Sequence, residues 1–283
     1  GLHSGVTTVI TLCPAPADYG IRFVRTDQSA ECAVVSAAWD LVEISPLCTK
    51  IINHAGISVS TVEHVLAALA GCGVHNARSE MDGQEAPILD GSARPFALEI
   101  LRHGIKHLDA PLKVLRILRE VTYQSGSAWA KLIPHSEPWI SFHIDFEDSA
   151  IGIQQKSLTL TNGSFIRELC DSRTFCRNKD VQAMWAKGLA LGGTMENAVV
   201  VDGDTVLSPG GLRHKDEAVR HKMLDALGDL YLAGAPIIGH YIGHCSGHET
   251  TNGLLRTLFQ DEDAYEWVNG DSDLYRILPG VNT

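Results

Sequence analysis

His221-Lys222-Met223-Leu224-Asp225-Ala226-Leu227-Gly228-Asp229-Leu230-Tyr231-Leu232 reads as one helix. Met223, Leu224, Leu227, Leu230 and Tyr231 recur at three- and four-residue steps, and Gly234 with Pro236 marks the stop. His221 and Asp225 are i and i+4, so imidazole and carboxylate share one face a turn apart, and Asp229 continues the stripe. Packing alone does not explain a His-Asp-Asp line on a helix this apolar. The spacing suits a divalent cation, although an isolated H-x-x-x-D pair also fits a surface hydrogen bond.

Ser60 to Ala70 predicts a second helix over 61–70, ended by Gly71 and Gly73. Ser60 followed three residues later by Glu63 is the pattern of a capping box, in which Glu63 bonds back to the cap. Glu63 beside His64 equally fits a hydrolytic metal centre, where the carboxylate works on the attacking water. His248 closes Gly243-His244-Cys245-Ser246-Gly247-His248, a glycine-punctuated stretch that reads as a loop, and loops are common homes for acid/base groups.

The 283 residues are 45% hydrophobic and 20% charged, which predicts a globular chain with a substantial core. No apolar run approaches the ~20 residues that span a bilayer. Gly1-Leu2-His3-Ser4-Gly5 lacks the basic-then-apolar pattern of a secretory signal, so a cytoplasmic location is expected. The seven cysteines form no C-x-x-C pair, which argues against a disulfide framework and against a cysteine-rich zinc module. A net charge of −11 without a Lys/Arg-rich stretch excludes nucleic acid as the expected partner. Of the 13 histidines, His54, His103, His107 and His135 are expected at the surface or in core hydrogen bonds.

Val6 to Leu12 and Ile21 to Thr26 are strand-like, with Pro14-Ala15-Pro16 breaking the first. A helix is expected from Ala93 to Leu101. From Pro111 the pattern restarts. Lys113 to Val121, Trp129 to Ile133 and Ile140 to Phe146 read as strands, and Ser164–Cys170 and Glu217–Ala233 as helices. Two blocks of strands then helices indicate an α+β protein with two similar domains, 1–108 and 109–283. The candidate residues fall in both blocks, so the cleft between them is the natural place for a site.

With these residues in hand, the chain resembles the zinc-dependent UDP-3-O-acyl-N-acetylglucosamine deacetylases of lipid A biosynthesis. The resemblance rests on Gly1 to Gly5, Leu47-Cys48-Thr49, Ser60 to Ala70, Pro87 to Ala93, Ser172-Arg173-Thr174-Phe175, Gly192-Gly193, Asn197 to Asp202, Gly211-Leu212-Arg213, Arg220 to Tyr231 and Ser246-Gly247-His248, in family order from end to end. It implies two β-α-α-β sandwich domains with the active site between them and an inserted element in each, here around 176–192 in the second. It implies that His64, His221 and Asp225 hold Zn2+, that Glu63 is the general base and that Thr174 helps hold the oxyanion. His248 would protonate the departing amine, with Asp229 orienting it. Lys222, Phe146 and Phe175 would bind the substrate, a UDP-linked acylated amino sugar, with Phe146 stacked on uracil. Met184, Trp185, Leu189 and Leu191 would line an acyl passage or simply fill core. A monomer is expected.

Some positions depart from the family pattern. The sequence starts at the Gly-Leu-His turn, so the edge strand that precedes it in the family is expected to be absent or to have been cut. Ala128 and Cys245 stand where lysines facing the diphosphate are usual, and Arg177 stands where an aromatic residue lines the acyl path. Glu249-Thr250-Thr251-Asn252 replaces Ala-Leu-Asn-Asn. Two rival readings therefore stand beside the first: a zinc amidohydrolase on another N-acyl amino sugar, and a non-catalytic paralogue that binds zinc or a nucleotide sugar.

Overall fold

A computed structural model describes residues 1–45, 47–270 and 272–281. The first half of the chain runs β1 (Ile10–Pro14), β2 (Ile21–Arg25), β3 (Val34–Ser36), β4 (Val42–Glu43), β5 (Lys50–Ile52), β6 (Ser58–Ser60), α1 (Glu63–Cys72), β7 (Ala77–Met81) and α2 (Arg94–His103). One sheet has the order β1-β7-β2-β3, with β7 antiparallel to β1 and parallel to β2, and β4, β5 and β6 form an antiparallel meander. Along β2 the buried Ile21 and Phe23 alternate with half-buried neighbours, the two-residue period of a strand with one face on the core.

The second half runs β8 (Lys113–Ile117), β9 (Val121–Ser125), β10 (Ala128–Ile133), β11 (Trp139–Asp145), β12 (Ile153–Thr159), α3 (Ser164–Glu168), β13 (Phe175–Arg177), α4 (Asn178–Ala186), β14 (Val199–Asp202), β15 (Thr205–Val206), α5 (Glu217–Leu230), β16 (Ile237–Ile238), β17 (His240–His244), α6 (His248–Phe259), β18 (Tyr265–Asn269) and α7 (Ser272–Ile277). Its main sheet has the order β12-β11-β17-β10-β9, in which only β11 and β17 pair in parallel. Among the described residues the strands of each half pair only within that half.

What joins the halves is helical. Every residue of α1 is buried, and α5 is buried along nearly its whole length against it. Gly228 makes this contact possible, because a Cβ there would lie 2.0 Å from the Glu63 carbonyl oxygen. Two helices can approach so closely only where one presents bare backbone. A single apolar core spans both halves, taking in Phe23, Val35 and Leu66 as well as Ile140, Leu224 and Leu254.

Three local expectations need correction. The first strand begins at Ile10 and runs through Pro14, so proline closes it without interrupting it. The capping box does not form. Ser60 is the last residue of β6, its hydroxyl bonds Gln84 O, Thr61 turns the chain at φ 56°, and Val62 precedes α1 without a side-chain cap. Within the stretch from 243 to 248 the loop is only Cys245 to Gly247: His244 ends β17 and His248 starts α6. Gly243 serves packing, since a Cβ there would lie 2.7 Å from the Phe142 ring.

Candidate active site

The α1–α5 contact brings five buried titratable side chains together. Glu63 and His64 enter from the first turn of α1, and His221, Asp225 and Asp229 from successive turns of α5. His221 Nε2 and His64 Nε2 lie 3.3 and 3.5 Å from the same atom, Asp225 Oδ1, and the two imidazoles meet edge to face at 5.0 Å. Asp225 Oδ1 is buried without a hydrogen-bond partner. Two imidazole nitrogens converging on an unsatisfied carboxylate oxygen is a donor set lacking its acceptor, and a divalent cation supplies one.

The surroundings put these groups in metal-binding protonation states. Burial lowers His221 to about 4, so the ring is neutral, and its Nδ1 bonds Ser172 O at 3.0 Å, leaving Nε2 to face the site. Burial works against the charge on Asp225, but His221 and Lys222 outweigh it and hold the carboxyl well below the usual range. Lys222 Nζ donates to Asp225 Oδ2 at 3.2 Å, so this expected substrate contact sits at the edge of the donor set.

Glu63 and His248 lie beside it. Glu63 is pulled inward, and its Oε2 accepts a hydrogen bond from Thr49 N at 3.1 Å, which takes the place of the expected bond to a cap. Burial raises its pKa, the direction a general base near neutrality needs. His248 Nε2 faces Glu63 Oε1 at 3.7 Å, while Nδ1 bonds Asp229 Oδ2 at 2.8 Å. Burial alone would lower the His248 pKa, yet the carboxylates of Asp229 and Glu63 raise it to about 9. The ring is therefore an imidazolium at neutral pH, poised to donate from Nε2.

Two residues near the site have no role assigned from the sequence. Thr49 Oγ1 donates to Asp229 Oδ1 at 2.5 Å, fixing the carboxylate that fixes His248. Only its place in the Leu-Cys-Thr run marked it, because the contact joins residues 180 apart. His3 is the other. Both its ring nitrogens are buried without partners, and its turn is tied down by Glu85, which accepts from His3 N and Ser4 N.

Of the remaining expected residues, Phe175 stands directly against the site. Thr174 follows Ser172 and Arg173, with its N–H on Gly91 O and its carbonyl accepting from Val199 N. Buried Arg173 and Glu217 hold this segment to α5 by two parallel bonds at 2.9 and 3.1 Å, a pair whose breaking costs about 3–5 kcal/mol. Phe175 meets the His221 ring at 6.2 Å and Phe146 meets Phe175 at 5.4 Å, both edge to face. On α4 and after it, Trp185 and Leu191 are exposed and Met184 and Leu189 half-buried, so these four do not fill core. Arg177 is neutralised by Asp180 at 2.6 Å.

All seven cysteines are free, and among the described residues no helix is long and apolar enough to cross a membrane. A family model described as UDP-3-O-acyl N-acetylglycosamine deacetylase matches residues 1–260. The chain is 42% identical over 275 residues to the UDP-3-O-acyl-N-acetylglucosamine deacetylase of Shewanella oneidensis, covering 96% of this chain and 90% of that one. Over the same shares it is 43% identical to the enzyme of the same name from Shewanella sp. strain W3-18-1 and 42% to that from Shewanella frigidimarina.

Proposed function

Because the chain belongs to the UDP-3-O-acyl-N-acetylglucosamine deacetylase family, we propose that it removes acetate from the 2-amino group of a UDP-3-O-acyl-N-acetylglucosamine in lipid A biosynthesis. The observation that carries this reading is the convergence of His64, His221 and Asp225 on one point with Glu63 and His248 alongside. Those three residues would hold Zn2+, which supplies a Lewis acid to polarise the amide carbonyl and acidify water.

The chain's own side chains then divide the proton work. Glu63 takes the proton of the attacking water, and Thr174 supplies a hydroxyl toward the developing oxyanion. His248, charged and oriented by Asp229, stabilises that negative charge and passes its Nε2 proton to the departing amine, which leaves poorly without one. Lys222, Phe146 and Phe175 line the approach for the nucleotide sugar, and Met184, Trp185, Leu189 and Leu191 offer an apolar path for the acyl chain. A mere binding protein needs neither the buried base nor the buried imidazolium, which disfavours the non-catalytic reading.

The proposal includes two α+β domains, 1–108 and 109–283, the second with an inserted element at 176–192. Strand pairing confined to each half supports the division. It also includes a cytoplasmic monomer, tested by fractionation and size-exclusion chromatography. The function is tested by acetate release from the UDP substrate, with the metal stripped and with zinc restored. Turnover only on another N-acyl amino sugar would favour the rival amidohydrolase.

A further inference from the structure

A second group of metal-ligating side chains lies at the end of the β11–β17 pair and shares no residue with the first. The parallel register sets His143 beside His244. Ile140, Phe142 and Ile144 alternate into the core, so Ser141 and His143 project from the other face of the sheet. The two imidazoles stack at 4.6 Å with 2° between their planes. Cys245 then leaves the strand at φ 48°, its N–H bonded to His143 O at 2.8 Å, which folds it back over its neighbours. One nitrogen from each ring and the Cys245 sulfur lie within 4.8 Å of one another, and all three residues are half-buried.

We propose that His143, His244 and Cys245 form a second cation site, for a soft or borderline transition-metal ion such as Zn2+. Two imidazoles and a thiolate are the donor types that select such ions over Mg2+ or Ca2+. Tetrahedral ligands on zinc stand about 3.3–3.6 Å apart, so the donors must close by at most about 1.5 Å from their present spacing. Parallel rings do not aim their lone pairs at one point, so binding turns one imidazole out of the stack, a movement that partial exposure permits. Gln155 Nε2 lies 3.0 Å from His143 Nδ1. Turning that amide over lets its oxygen accept the Nδ1 proton, the partnership that fixes a metal-binding imidazole with Nε2 free. Binding displaces the Cys245 thiol proton to water and leaves the fourth coordination position open. Such a site holds an exchangeable ion, unlike a closed four-ligand structural centre.

Cobalt(II) titration of the full chain tests this. His64, His221 and Asp225 contain no sulfur, so a thiolate-to-cobalt charge-transfer band reports on a different site. The expected result is that the band develops in the wild type, is lost in Cys245→Ser, and persists in His221→Ala, which separates it from the deacetylase reading. His143→Gln should weaken the ion responsible for the band by more than roughly 100-fold, since even residues that only orient ligands are worth about 10–100-fold. It reads the same site from the neighbouring strand should Cys245→Ser fail to fold. Absence of the band in the wild type, or an undiminished band in Cys245→Ser or His143→Gln, would overturn the proposal.

Discussion

Gly228→Ala tests whether the α1–α5 contact is what assembles the site. The added methyl would lie 2.0 Å from Glu63 O and 3.1 Å from Ala67 N, both backbone atoms that cannot rotate away. Ordinary contact needs about 3.5 Å, so the helices must part by roughly 1 Å or more. Overpacking of this kind costs about 1–3 kcal/mol, which the better helix propensity of alanine offsets by at most about 1 kcal/mol. The larger effect falls on chemistry. Glu63 and His64 sit on one helix and His221, Asp225 and Asp229 on the other, so parting them stretches every cross-helix distance in the site. A misplacement of about 1 Å can cost about 10²-fold in rate. The expected outcome is a kcat for acetate release lowered by roughly 10²-fold, weakened zinc retention against a chelator, and a modest fall in Tm. Gly71→Ala is the control, since its Cβ meets the Phe165 ring at 2.1 Å about two turns along α1 from Glu63 and His64. It should lose stability with a much smaller change in kcat. Wild-type kcat and zinc retention in Gly228→Ala would refute the reasoning.

Further outcomes are expected. Glu63→Ala should keep its metal and slow turnover by about 10²–10⁴-fold, as loss of a positioned base does, whereas metal loss would make Glu63 a ligand. The kcat/KM profile should rise with pH as Glu63 ionises, above the ordinary carboxylate range because burial raises it, and fall through about 9 as His248 loses its proton. Since Asp229 and Glu63 raise His248 against burial, Asp229→Asn should move the falling limb down toward an ordinary histidine; a limb left near 9 contradicts the assignment. Thr49→Val deprives buried Asp229 Oδ1 of its hydroxyl and should lower stability by about 1–3 kcal/mol in urea denaturation, with unchanged stability removing Thr49 from the network.

Much of this architecture was legible in the chain. The helix over 217–230 and its His-Asp-Asp stripe follow from periodicity alone, because a helix whose every turn is packed must repeat its apolar positions. The metal-type trio needed a long-range contact that no spacing encodes: His64 is 157 residues from His221 in the numbering. The capping box misled because local propensity at Ser60 and Glu63 was overridden by tertiary demand. Ser60 pairs in β6 and Glu63 is claimed by Thr49 N. Gly243 and Gly247 read as loop residues, yet Gly243 is a strand position made small by the Phe142 ring. Very short strands such as Val42–Glu43 and Ile237–Ile238 carry no readable period, and α4, with no buried residue, carries no apolar stripe. Thr49 escaped for the same reason as the trio, since its role on Asp229 exists only in the folded chain.

The most direct test of the account measures bound metal and acetate release together on the chain and on Asp225→Ala. Stripped wild type should be inactive on UDP-3-O-acyl-N-acetylglucosamine and should recover as zinc is returned. Asp225→Ala should neither recover activity nor retain the zinc that tracks with it. Full acetate release by stripped wild type, or by Asp225→Ala at the same zinc level, would contradict a metal held by His64, His221 and Asp225.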